Sequence, residues 1–337
     1  MRHDHQTAVE IIAEVAQGYE GNPKLASMLA IAATRAGADA VKYQLVFADE
    51  LATPDYKYYE LFRTLEMPES VWKDVVRTIR EAGKRAYFDI YGTKGLELAT
   101  ALGADGIKLS TTEFFNDDLV RRTLSRFPKI FVAIGGIGMQ DLRSFIDRHG
   151  IQPSSPVCFL YGVQNSPTML EDNHLLRLKY LQSQLPGFRF GLMDHTQGDS
   201  PDALILPLLA LPLGARVIEK HITLDRLLEI EDYVSALTPE HFAAFVQSVR
   251  RFEKTLGSED MEISESERQY KQRTAKVVVA TRDIQRGTRI GADDVALKRV
   301  GKTLKEEESI HRLEDVLGKQ IDQDVKVHEP ISLPMVK

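Results

Sequence analysis

Charged side chains lie near the carboxyl ends of several short apolar segments in this sequence. EIIAEV from Glu10 carries Glu14, and AVKYQ from Ala40 carries Lys42 and Gln44. Burying an unpaired ion costs several kcal/mol of folding free energy. Charged residues that recur at the ends of buried segments therefore predict one shared polar site. Other charged or imidazole residues at or just beyond such ends are Asp89, Lys108, Glu113, Asp194, His195, Glu219, Lys220 and His221.

The basic residues suggest two kinds of chemistry. We predict that Lys42 and Lys108 form a positively charged site that binds a phosphate or carboxylate. Alternatively, each lysine could pair with a neighbouring acid such as Glu14, or form a Schiff base. His195 and His221, on neighbouring segments, suit a divalent transition metal, Mn²⁺ or Zn²⁺.

The elements that position these residues alternate between short β-branched runs and longer segments of helical period, which indicates a parallel sheet. Eight such units over about 250 residues favour a (β/α)8 TIM barrel, with a doubly wound open sheet as the alternative. A repeated pattern, as in LGADGIKLS, places Gly37, Gly103 and Gly214 just after helices, where a left-handed backbone is expected. The eight runs begin at Glu10, Ala40, Ala86, Gly106, Ile130, Val157, Phe188 and Val217.

The chain divides into three parts that differ in composition and in the spacing of apolar residues. We expect residues 1–256 to form the barrel and the acidic stretch 257–274, without apolar periodicity, to be a linker. From residue 275 to 337, short apolar runs and turns predict a small β-rich domain.

Composition excludes several classes of protein. Hydrophobic residues make up 43% of the 337 residues and the net charge is −6, so we predict a globular protein without long-range attraction for nucleic acid or anionic lipid. The one cysteine, Cys158, excludes an internal disulfide. Residues 1–6 begin no signal peptide, and the most apolar stretch, 203–215, is shorter than the ~20 residues of a membrane helix, which predicts a cytoplasmic protein.

The motifs as a set resemble the sialic acid synthase family. The similar segments include IIAEVAQGYEGNPKLA, AGADAVKYQ, LGADGIKLSTTEF, GLMDHTQG and LGARVIEKHITLDR. The tail RDIQRGTRIGADDVALKRVG resembles the antifreeze-like (SAF) domain that ends these enzymes. The resemblance implies condensation of phosphoenolpyruvate with an N-acylated amino sugar, giving a nonulosonic acid and releasing phosphate.

The resemblance also implies roles for individual residues. Glu14, Lys42 and Lys108 correspond to catalytic positions, and His195 and His221 to manganese ligands. We add Glu219 to the catalytic set as a residue that would orient these side chains. Arg299 corresponds to an arginine that enters the partner subunit's site, which implies a domain-swapped homodimer. The substrate-binding residues that we predict are Gln44, Thr111, Glu113, Gln164, Asp194, Asp232 and Arg299.

The chain departs from the family pattern near the expected phosphate site, as in a divergent member. DIYG at Asp89 replaces a small hydroxyl residue, and Ala133 and Met193 stand where other hydroxyls are usual. The lost hydroxyls leave open a catalytically silent homologue that binds sugar. The buried lysines leave open a second alternative, a Schiff-base aldolase or lyase.

Overall fold

The computed structural model describes residues 8–257, 260–301 and 305–337. Contacts divide the chain into two compact units, Met1–Gly257 and Ser258–Lys337. In the first unit, eight parallel strands form a closed barrel in chain order. The predicted TIM barrel is confirmed, and the open sheet is excluded. The strands are β1 (Glu10–Ala16), β2 (Ala40–Leu45), β3 (Arg85–Ile90), β4 (Gly106–Leu109), β5 (Ile130–Ala133), β6 (Val157–Tyr161), β7 (Arg189–Asp194) and β8 (Val217–His221).

Helices connect the strands and cover the outside of the barrel. The three glycines of the repeat have φ angles of 94°, 63° and 87°, as the pattern predicts. The helices of this unit are α1 (Pro23–Arg35), α2 (Ala48–Leu51), α3 (Tyr59–Thr64), α4 (Glu69–Glu81), α5 (Gly92–Ala101), α6 (Asp117–Arg126), α7 (Met139–His149), α8 (Leu176–Gln184), α9 (Asp202–Ala210) and α10 (Pro239–Phe252).

Side chains alternate between the barrel interior and the layer under the helices, because successive strand residues point to opposite faces. Ile12, Tyr87, Phe131, Cys158 and Met193 belong to the interior cluster. Their neighbours along the strands, together with the apolar faces of the helices, form the larger core. Polar side chains at interior positions beyond this apolar layer therefore share the carboxyl end of the barrel.

The second unit contains α11 (Glu265–Thr274) and an antiparallel pair, β9 (Val277–Ala280) and β10 (Val295–Lys298). Its apolar core includes Val278, Ile284 and Ile331. The stretch that the sequence predicted as a linker is partly helical, since it contains α11. A capping box formed by Ser264 and Glu267 stabilises the start of this helix.

Two further expectations concern the chain ends and membranes. The predicted absence of a signal peptide falls on residues 1–6, outside the described residues. In the part of the chain that the structure describes, no helix combines the length and apolarity needed to span a bilayer.

Candidate active site

Two lysines and two glutamates from four strands meet at the carboxyl end of the barrel. Lys108 Nζ donates to Glu219 Oε1 at 2.7 Å, and Lys42 Nζ lies 3.3 Å from Glu219 Oε2. Lys42 also contacts Glu14. All four side chains are buried. The structure thus brings together the four residues predicted to be catalytic, and it also pairs both lysines with acids.

A local irregularity positions Glu14. The pairing register of β1 with β2 shifts between Glu14 and Ala16, and Ala16 has a left-handed φ of 51°. The backbone N–H of Ala16 donates to Glu14 Oε1 at 2.7 Å. Such bulges commonly aim a side chain at an active site, and here the turn holds the carboxyl group towards Lys42.

Burial and charge give the two glutamates different protonation states. Burial raises the pKa of Glu14 to about 8, because it and the nearby Glu219 outweigh the attraction of Lys42. Burial also opposes ionisation of Glu219, but Lys108 and Lys42 outweigh it and hold the pKa of Glu219 well below its usual range. Of the two glutamates, Glu14 is therefore the one that holds a proton more readily, and Glu219 is the one held as a carboxylate.

His195 and His221 lie beside this cluster, with their ring centroids 4.8 Å apart and their ring planes at 61° to each other. Their Nε2 atoms are 3.2 Å apart. Burial lowers the pKa of each imidazole to about 3, with a further contribution at His195 from His221, so both are neutral at pH 7. Asp232 Oδ2 lies 3.8 Å from His221 Nδ1, while His195 Nδ1 is buried and has no hydrogen-bond partner.

These two imidazoles fit a divalent metal ion. Neutral imidazole is the form that binds metals, and two nitrogens about 2.1 Å from one ion stand about 3.0–3.4 Å apart for ordinary coordination angles. Among the described residues, no group of three or more His, Cys, Asp or Glu side chains forms a metal cluster. A metal on His195 and His221 would thus keep open positions for water or substrate oxygen.

Asp194 does not face this site, so its predicted substrate-binding role is corrected. Its side chain points away from the barrel interior, where Oδ2 accepts from Lys220 Nζ at 2.7 Å and Oδ1 accepts from the backbone N–H of Thr196 at 2.9 Å. Asp194 is fully buried. Because it sits one residue from His195, it would hold the β7 terminus rather than contact substrate.

Three of the predicted substrate-binding residues lie around β2 and the loop after β4. Gln44 Oε1 accepts from Gln17 Nε2 at 2.8 Å. Thr111 Oγ1 donates to the Gly135 carbonyl at 3.2 Å. Glu113 is buried, and its oxygens accept from the Gly92 N–H and Asn116 Nδ2. Glu113 therefore organises loops in this structure.

The remaining predicted residues are spread more widely. Gln164 is exposed in the loop after β6, with Nε2 4.0 Å from Met193 Sδ. Asp232 adopts a left-handed φ of 62° beside His221. Arg299 belongs to the second unit, where its Nε donates to the Thr274 carbonyl at 2.9 Å.

The structure adds Asp89 and Tyr91 to the polar cluster. Asp89 Oδ2 lies 3.6 Å from Lys42 Nζ and 3.5 Å from Lys108 Nζ; sequence reasoning counted Asp89 among the strand-end polar residues but assigned it no catalytic or substrate-binding role. Burial, then Asp89 and Glu14, raises the pKa of the Tyr91 hydroxyl. Tyr91 follows Asp89 by two residues, a spacing that could have predicted its inward direction.

Comparison with known proteins gives matches along both units. A model of the NeuB family matches residues 29–261, and one of the SAF domain matches residues 275–337. N,N'-diacetyllegionaminic acid synthase of Legionella pneumophila is 27% identical, covering 94% of this chain and 91% of its own. Pseudaminic acid synthase of Campylobacter jejuni is 26% identical, covering 94% of each.

Solved structures support the same architecture. The N-acetylneuraminic acid (sialic acid) synthetase of Leptospira borgpetersenii superposes with a TM-score of 0.73 at 23% identity, covering 79% of this chain and 90% of that protein. This likeness shows a shared fold.

Proposed function

The chain belongs to the NeuB family, and from this premise we propose that it condenses phosphoenolpyruvate with an N-acylated amino sugar, forming a nonulosonic acid and releasing phosphate. The observation that carries the proposal is the meeting of Lys42, Lys108 and Glu219 with the His195–His221 pair at the barrel mouth. We further propose a domain-swapped homodimer and a cytoplasmic location.

The lysines and Glu14 have separate roles in this mechanism. Lys42 and Lys108 stabilise the negative charges of phosphoenolpyruvate while its C3 attacks the aldehyde carbon of the open-chain sugar. Protonated Glu14 gives its proton to the aldehyde oxygen as the carbon–carbon bond forms. It then accepts a proton from the water that adds at C2. The C2–O bond to phosphate breaks as the new C2 hydroxyl becomes a carbonyl, and its proton leaves with the phosphate. Glu219 keeps both lysines charged and oriented.

His195 and His221 are the proposed metal ligands, with Mn²⁺ as the expected ion. A bound divalent ion would act as a Lewis acid towards the aldehyde oxygen. We expect one Mn²⁺ per chain in the wild type, measured by equilibrium dialysis with electron paramagnetic resonance, and at least tenfold weaker binding after His195→Ala. A Thr223→Ala variant tests whether a nearby substitution alone disturbs binding. Unchanged Mn²⁺ affinity after His195→Ala would remove the metal assignment.

Substrate contacts are proposed for the residues whose side chains border the mouth. Gln44, Thr111, Gln164 and Asp232 would contact the amino sugar, with Glu113 holding the adjoining loop. Arg299 of the partner subunit would complete the site. These assignments rest on family resemblance together with the positions described above.

The proposed function is tested by phosphate release from phosphoenolpyruvate with a panel of N-acylated hexosamines, with and without Mn²⁺ and after chelation. We expect release that requires one sugar and the metal, and a loss of at least 100-fold in Lys108→Met. The proposal would be contradicted if phosphate were released without any sugar, or if no phosphate were released with any sugar.

Two alternatives predict different outcomes. A Schiff-base enzyme would be trapped covalently by borohydride with a keto acid, but Glu219 raises the pKa of Lys108 despite burial, which disfavours the free amine that an imine requires. A silent homologue would bind sugar without releasing phosphate. The replacement of family hydroxyls at Ala133 and Met193 is the observation that favours it.

A further inference from the structure

The two lysines of the site share three carboxyl groups. Both ammonium groups lie within 4 Å of Glu219, Asp89 and Glu14. All of these side chains are buried, so bulk solvent screens their charges little. The lysines are therefore already neutralised within the protein.

The cluster carries no net positive charge in either protonation state of Glu14. With Glu14 ionised, three carboxylates face two ammonium groups, and with Glu14 protonated the charges balance. Asp232 adds a further acid beside His221, and Lys220 is paired with Asp194 on the other side of the sheet. A divalent ion on His195 and His221 would add its own charge equally in the wild type and in a variant of the cluster, so the comparison between them is made at one fixed Mn²⁺ concentration. A multiply charged anion entering here must compete with a resident carboxylate.

Asp89 is the most weakly held of the three acids. Glu219 makes a 2.7 Å hydrogen bond to Lys108, and Glu14 accepts from the Ala16 N–H. Asp89 stands 3.5–3.6 Å from the two ammonium groups, and its Oδ1 is buried without a hydrogen-bond partner. Its main effect on the lysines is thus its charge, whereas Glu219 accepts a hydrogen bond from Lys108 and Glu14 contacts Lys42.

We propose that Asp89 sets the charge selectivity of this site by weakening the binding of phosphate-bearing anions to Lys42 and Lys108. The inference rests on the proposed function for the identity of the substrate, a phosphorylated enol acid. The weakening grows with the charge of the anion, because repulsion by Asp89 is proportional to that charge. Phosphoenolpyruvate and inorganic phosphate are therefore affected more than pyruvate.

The test is calorimetric titration of the full-length protein with inorganic phosphate, phosphoenolpyruvate and pyruvate at constant ionic strength. We expect Asp89→Asn to bind the two phosphorylated anions at least tenfold more tightly and pyruvate at most threefold more tightly. Asp105→Asn, the same change just before the amino end of β4 and so at the opposite end of the barrel, should leave all three affinities unchanged. Asp89→Ser provides a second variant if Asp89→Asn does not fold.

Unchanged or weaker binding of phosphate and phosphoenolpyruvate to the folded Asp89 variant would overturn the inference, as would equal tightening for pyruvate. Sugar-dependent phosphate release by the wild type, measured separately, distinguishes this failure from that of the proposed function. If the wild type releases phosphate and the Asp89 variant does not bind the anions more tightly, only the role of Asp89 is refuted and the proposed function stands.

Discussion

Asp194 and Lys220 form an ion pair on the outer face of the barrel, directly behind the two histidines. The residues stand opposite each other in the β7–β8 register, and both are fully buried. Lys220 Nζ also donates to the Thr196 carbonyl at 3.1 Å. This pair fixes the ends of β7 and β8, from which His195 and His221 project inward.

Removing one member of this pair should destabilise the barrel. We expect Asp194→Asn to lower the free energy of unfolding by about 3–5 kcal/mol, because Lys220 keeps a buried charge without its counter-ion. Urea denaturation measures the loss. The exposed variant Lys73→Met is the control and should leave the midpoint nearly unchanged. A loss of under about 1 kcal/mol for Asp194→Asn would mean that water replaces the carboxylate.

Cys158 faces the barrel interior and should be chemically inert in the folded protein. Burial raises the pKa of its thiol to about 12, so about one molecule in 10⁴ is a thiolate at pH 8. We expect no reaction with an aromatic disulfide reagent until guanidinium unfolds the chain, while an exposed Ser125→Cys thiol reacts at once. Rapid native modification of Cys158 would contradict this packing.

The same thiol gives stability a pH dependence with a definite sign. The unfolded thiol has a pKa near about 8.5. As the pH rises above that value, the unfolded state loses a proton that the folded state keeps up to about pH 12. The contribution of Cys158 to the free energy of unfolding should therefore fall between these values, and Cys158→Ala should remove this component.

Sequence reasoning located the strands that carry most of the predicted site residues, because these strands are short, apolar and bounded by turns. It did not resolve which of two adjacent polar residues points inward, and so it assigned both Asp194 and His195 to the site. The choice depends on the register of the closed barrel, which a single strand does not contain. The same alternation, applied from Asp89, would have added Tyr91.

At the scale of elements, β7 is packed too tightly for any side chain at Gly191. A Cβ there would stand 2.6 Å from the Val217 carbonyl oxygen and 2.7 Å from Leu160 Cδ2. The strand therefore depends on glycine to approach β6 and β8 closely. His195 is carried by the segment immediately after this strand.

Gly191→Ala tests this packing. We expect a loss of about 2–3 kcal/mol in the free energy of unfolding, since the added methyl meets backbone as well as side-chain atoms. Gly138→Ala is the comparison, because a Cβ there comes within 4 Å only of Asp141 Oδ2, at 3.9 Å. Thermal unfolding of the two variants measures the difference. Equal midpoints would show that β7 moves to accept the methyl group.

Two elements differ from their sequence predictions for physical reasons. The stretch from Leu170 to Leu185 has the residue spacing of one helix, but it contains a 3-10 turn and then α8, with His174 in a left-handed conformation between them. Helix α11 was not predicted, because it has no buried residues and therefore no periodic spacing of apolar residues. Its capping box was the available signal, as Ser264 and Glu267 have the required spacing.

At the scale of the whole molecule, the proposed exchange of Arg299 between subunits can be tested by complementation. Neither Arg299→Ala nor Lys108→Met should be active alone. A heterodimer of the two should contain one complete site, because the chain that keeps Lys108 receives Arg299 from its partner. We expect an equilibrated mixture to regain about a quarter of wild-type activity by the dimer statistics of random exchange.

Failure to regain activity would contradict the exchange, provided that size-exclusion light scattering shows mixed dimers to have formed. Arg299→Ala should also leave the unfolding midpoint close to that of the wild type, because Arg299 is an exposed side chain bonded to a backbone carbonyl. A large fall in the midpoint with normal turnover would instead make Arg299 a structural residue.

The most direct test of the account follows the carbon atom that forms the new bond. Phosphoenolpyruvate labelled with ¹³C at C3 is incubated with the full-length protein, Mn²⁺ and the N-acylated hexosamine that supports phosphate release. The account predicts that nuclear magnetic resonance finds the label as a methylene carbon bonded to the former aldehyde carbon of the sugar. Label recovered only in pyruvate, with phosphate released, would show hydrolysis and contradict the proposed condensation.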